Sequence, residues 1–101
     1  MPIRNSPVAF RLDGRKVKSR NDFYAEIGRA VNGAGGYFGN NLDALADCLR
    51  GGFGTPEDRP FRFVWAHSAA SRRALTEAGQ RGFVDSVRQV FDDTGVDLKL
   101  R

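Results

Sequence analysis

An α/β fold, a three-stranded parallel sheet covered by about four helices, is what the residue pattern of this chain predicts. Three observations carry it. Short alternating or aromatic stretches occur at Val8–Leu12, Phe61–Trp65 and Val96–Leu100. Two segments with helical apolar spacing separate each successive pair of them. Glycine, asparagine and aspartate clusters punctuate the joins. Strands that alternate with helices favour parallel pairing with the helices as cover.

The elements follow in order. Val8, Phe10 and Leu12 alternate with Ala9 and Arg11, a first strand that Asp13-Gly14 turns. Ser19-Arg20-Asn21-Asp22 has the form of a capping box with Asp in the usual Glu position. Phe23, Ile27, Ala30 and Val31 then recur at i, i+4, i+7, i+8, a first helix broken at Gly33–Gly36. Asn41 is placed to cap a second helix, whose stripe is Leu42, Leu45 and Leu49 and whose stop is Gly51-Gly52. Gly52–Pro60 is a loop by composition, and Phe61–Trp65 is a second strand. Ser68–Ala78 is compatible with helix and ends at Gly79. Phe83, Val87, Val90 and Phe91 form the stripe of a last helix; Val96, Leu98 and Leu100 alternate in a last strand.

Composition narrows the class. The chain has 101 residues, 41% of them hydrophobic, which fits one small domain. No apolar run reaches the length of a membrane span, and MPIRNSPVAF lacks a signal-peptide core, so a cytoplasmic protein is expected. The lone Cys48 cannot form an internal disulfide and reads as a quiet, largely buried thiol. No metal-ligand cluster, phosphate-binding loop or repeat is present, so no cofactor and no metal are expected. The lone His67 follows the second strand, but no Ser–His–acid or paired-carboxylate order is legible, so no catalytic residue is assigned.

Function is written most densely between Gly36 and Gly52, GYFGNNLDALADCLRGG. Asp43 and Asp47 are four apart and sit side by side, away from the leucine stripe. That pairing opposes a helix by roughly 0.2–0.5 kcal/mol. Asp43 has a structural reason, the dipole of the first turn, and Asp47 has another in pairing with Arg50 at i+3. Neither explains the set. Two carboxylates beside Tyr37 and Phe38 read as a docking surface for a cationic partner.

The segment YFGNNLDALADCL resembles the barstar family, whose hallmark is an aromatic pair, Gly, an acidic or amide residue, Asn-Leu-Asp-Ala-Leu, Trp and Asp-Cys-Leu. The likeness runs more weakly along the chain through Trp65, Leu75-Thr76-Glu77, Gln89-Val90-Phe91, Gly95 and Asp97. It implies the same three parallel strands and four helices. It also implies an intracellular inhibitor of a secreted, guanyl-preferring bacterial ribonuclease of the barnase type, bound one to one. Carboxylates on the helix face would stand where RNA phosphates sit, meeting Arg in charge-assisted pairs. By resemblance Asp47 is the central inhibitory carboxylate, Asp43 the second acidic contact and Tyr37 the ring against the enzyme's catalytic histidine. Asn41 and Gly51 are contacts at the helix ends, and Asp93 takes the place of a steering acid.

Departures accompany the match. Ala46 and Gly52 replace two tryptophans, Arg50 stands where a small hydroxyl residue is usual, and a further acid near the end of the last helix is missing. The loop before the second strand is longer. The chain is basic, at +4, while residues 41–58 hold four acidic side chains against one basic. The alternative reading is a basic nucleic-acid-binding module, with Arg11, Arg15, Lys16, Lys18 and Arg20 near the first turn. The inhibitor reading leaves no role for a membrane and none for direct nucleic-acid binding.

Overall fold

The computed structural model describes residues 7–101; residues 1–6, part of the stretch read as lacking a signal core, lie outside them. The element order is β1 (Val8–Asp13), a 3-10 turn (Gly14–Lys16), α1 (Arg20–Asn32), α2 (Leu42–Leu49), β2 (Phe61–Ala66), α3 (Ser68–Glu77), α4 (Phe83–Thr94) and β3 (Asp97–Leu100). The strands form one parallel sheet in the order β1-β2-β3. Leu12 lies opposite Trp65, Phe63 opposite Leu98, and Trp65 opposite Leu100.

Both crossovers advance in the same direction across the sheet. Right-handed connections of that kind put all the helices on one face. Burial agrees. Leu12, Phe63 and Trp65 are buried and Phe10, Leu98 and Leu100 pack against the core, whereas Ala9, Arg11, Arg62, Asp97 and Lys99 are exposed. The core is therefore a single layer between sheet and helices. Phe23 stacks tilted against Trp65 at 5.0 Å, and Phe63 meets Phe91 edge-on at 5.2 Å. Such pairs add to the area term, which rewards burial by about 25 cal/mol per Å².

The joint beneath Trp65 is polar. Its Nε1–H donates to the buried Ser71 Oγ at 2.9 Å, and that hydroxyl donates to the Gly14 carbonyl at 2.7 Å. A second joint ties sheet to helix. Glu26, buried on α1, accepts from the Asp13 N–H at 2.7 Å and pairs with Arg29 at 2.8 Å. Arg29 in turn donates to the Arg11 carbonyl. Burial alone would raise the Glu26 carboxyl, but the Arg29 hydrogen bond, the Asp13 N–H and nearby positive charge outweigh it and hold it below its usual range.

Two local expectations change. Ser19 caps α1 through Asp22 N–H as read, but the Asp22 carboxylate accepts from the Lys18 N–H, not from that of the capping residue. Val96 lies between α4 and β3 and not in the strand: its N–H reaches back to the Phe91 carbonyl while Gly95 N–H reaches Asp92. That doubly closed ending, with Gly95 left-handed at φ 71°, satisfies orphan helix carbonyls before the strand begins.

Candidate functional site

Helix α2 is built from its start. Asn41, extended, accepts the Ala44 N–H on its side-chain oxygen at 2.8 Å. Gly39 precedes it at φ 97°, and a Cβ there would come within 2.8 Å of the Leu45 nitrogen. Only glycine lets the chain enter the helix so closely. Leu45, Cys48 and Leu49 are buried and fix the rotation of the helix, which packs against α4. Asp43 and Asp47 are left facing water.

Asp47 is 73% exposed and pairs with Arg50 at 3.2 Å, the i+3 contact read from the sequence. Among the described residues Asp43 has no ion pair. Cys48 is buried, and burial, and then the Asp47 charge, push its thiol above its ordinary range, which disfavours the reactive thiolate. Among the described residues no group of three His, Cys, Asp or Glu is placed to hold a metal, and no helix is long and apolar enough to cross a membrane.

The aromatics need a correction. Tyr37 is 52% exposed, as a docking ring must be, but Phe38 is fully buried and stacks toward Phe63 at 5.9 Å. Phe38 is core, not surface. A different ring takes its place. Phe53, in the loop after α2, is 45% exposed. Both exposed rings are held by one side chain: Asn32 Nδ2 donates to the Tyr37 carbonyl and to the Phe53 carbonyl, each at 2.8 Å. Gly54, at φ 123°, lies against that amide so closely that a Cβ would collide with Asn32 Oδ1. The clamp thus joins the loop before α2 to the loop after it.

Tyr37, Asn41, Asp43, Asp47 and Gly51 therefore fall on one short stretch of chain around α2. Asp93 does not join them through any described hydrogen bond. It lies exposed on α4 and accepts from Gln89 of its own helix at 2.9 Å. Asn32 and Phe53 are absent from the sequence reading. Phe53 carried a signal, an aromatic set among Gly51, Gly52 and Gly54 with no local apolar partner. Asn32 carried none, because an Asn before a helix-ending Gly is ordinary.

A comparison with family models matches residues 8–100 to the family described as Barstar (barnase inhibitor). No curated protein matches the chain.

Proposed function

The chain belongs to the barstar family, and on that premise we propose that it is an intracellular, non-enzymatic inhibitor of a secreted, guanyl-preferring bacterial ribonuclease. It binds one to one, with α2 in the active-site cleft. The observation that carries this reading is a capped helix, anchored by Leu45, Cys48 and Leu49, that turns two carboxylates to solvent between two exposed rings.

A ribonuclease holds RNA phosphate with Arg, Lys and His. Carboxylates preset on a rigid helix can meet the same cations without losing further side-chain freedom than their own. Asp47 enters the phosphate position and Asp43 supports it one turn away. Tyr37 covers the catalytic histidine. Asn41 and Gly51 touch the enzyme at the two ends, and Asp93 contributes to the approach field from α4. Phe53 supplies aromatic surface beside Gly52, where the family has a tryptophan. Arg50 is held to Asp47 in the free protein and must swing away or be tolerated, so the partner's cleft is less basic at that point than barnase's.

Titration calorimetry and an RNA-cleavage assay against a panel of small guanyl-specific ribonucleases test the reading. One member is expected to bind at unit stoichiometry and lose activity. Failure to bind any member, with cleavage unaffected throughout, removes the proposal.

A further inference from the structure

Parallel sheets are nearly always covered on both faces. Among the described residues no helix covers the second face of this one. The face turned from the helices carries Ala9 and Arg11 on β1, Arg62, Val64 and Ala66 on β2, and Lys99 and Arg101 at the end of β3. Register sets Val64 between Arg11 and Lys99, and Arg62 between Ala9 and Asp97. Arg101 continues the ladder, its N–H bonded to the Trp65 carbonyl. A depression of about 580 Å³ over this face is lined by Arg11, Arg62, His67 and Arg101 around Val64. Among the described residues none of these three arginines has an ion pair. The rim carboxylate Asp13 is taken by Arg15 at 3.0 Å. Asp97 lies opposite Arg62 in the register.

We propose that this bare sheet face binds the sugar–phosphate backbone of single-stranded RNA, through Arg11, Arg62, Lys99 and Arg101. The site is separate from α2, and the proposal does not rest on the inhibitor reading. Strands lie about 4.8 Å apart and alternate residues about 6.5–7 Å apart, so the cations form a flat grid and not a point site. A grid of guanidiniums suits a chain of phosphates, which each can hold bidentately. Among the described residues the face carries no Phe, Tyr or Trp, and His67 stands at its rim. An anionic membrane would want rings or long apolar side chains to enter the headgroup layer, and a protein partner would want an anchor; Ala9, Val64 and Ala66 offer neither. Without Phe, Tyr or Trp the grid offers no row of stacking platforms, so binding is carried by the backbone and depends little on base sequence. Asp97, a carboxylate acceptor beside Arg62, fits a ribose 2′-hydroxyl that DNA lacks.

The experiment is fluorescence anisotropy with a short labelled oligouridylate. Four neutralised phosphates give a slope of log K on log salt of about −3, or roughly a fiftyfold loss between about 50 and 200 mM salt. Arg62→Gln with Lys99→Gln should weaken binding at least tenfold and make the slope shallower by about 1.4. Lys16→Gln with Lys18→Gln removes the same charge elsewhere and should change binding less than threefold. Oligothymidylate should bind several-fold more weakly than the RNA. Amide shifts on titrating the unaltered protein should fall on β1, β2 and β3, which keeps the test decisive if a variant unfolds. Equal losses in the two double variants, shifts centred on α2, or no binding at low salt overturn the proposal. Equal or tighter binding of the DNA, of polyglutamate or of phosphatidylserine vesicles overturns the RNA assignment.

Discussion

Helix α2 and the bare sheet face both set like charges side by side, and neither arrangement helps the fold. On α2 the two carboxylates share one side of a helix. On the sheet, Arg11 and Lys99 flank one valine. The difference lies in what surrounds the charge. The acids stand on an anchored helix whose flanking loops carry the exposed Tyr37 and Phe53, whereas the cations lie on a flat grid without Phe, Tyr or Trp. Rings give a partner something to fit, so the helix suits one protein. Charge spread over a flat grid reads a backbone and not its bases, so the sheet suits RNA of any sequence. Each face can thus be removed while the other is watched.

The largest expected effect is Asp47→Ala. Truncating one partner of a desolvated charge pair costs about 2–5 kcal/mol or more, a range drawn in part from complexes of this family and so not independent of it. Ribonuclease binding should fall at least a hundredfold. The exposed Arg50 pair contributes only about 0.2–1 kcal/mol to folding, so the thermal midpoint should hardly move. RNA anisotropy should be unchanged. Calorimetry, thermal unfolding and anisotropy on the one variant decide it: unfolding, parental ribonuclease affinity, or loss of RNA breaks the separation of the faces.

Asn32→Ala comes next. It removes two hydrogen bonds, each contributing about 0.5–1.5 kcal/mol net, and frees both ring-bearing loops. Ribonuclease affinity should drop about tenfold, with the midpoint lowered by several degrees. Asn32→Asp should be no better, since a carboxylate cannot donate to two carbonyls. Affinity equal to the parent in either variant would mean that the rings are not part of the seat.

The smallest effect concerns the joint between the layers. The Glu26 carboxyl is held low in the folded state, so its contribution is present at neutral pH and is lost as pH falls through that lowered value. Asp13, held at about 2 first by the Arg15 hydrogen bond, acts in the same direction. Unfolding midpoints should therefore fall below about pH 4. Glu26→Gln should lower stability at pH 7 and flatten that acid limb. A limb of unchanged steepness would place the acid sensitivity elsewhere.

The elements were legible because periods of two and of about three and a half residues, with Ser19, Asn41 and Gly95 as punctuation, are local signals. Most of the proposed acid site could be put forward from sequence for the same reason, since Tyr37 through Gly51 is one continuous stretch. Phe38 was misplaced because two adjacent rings look alike in a sequence. Which one turns inward depends on Phe63, a residue on another strand. The basic face was not legible at all. The cations near the first turn that sequence singles out, Arg15 among them, are mostly spent elsewhere or off the sheet. Arg62, Lys99 and Arg101 join Arg11 only through strand register.

The Asn32 amide works as a caliper. It sets the gap between two loops from a third point on α1, so that gap does not depend on how much chain follows Gly54. Beyond the buried Thr55, and before Pro60 accepts the Val8 N–H, the exposed residues Glu57, Asp58 and Arg59 are the part of the loop that can vary without touching the clamp. Variation there is a dimension in which new partner contacts can be tried while the gap keeps its width.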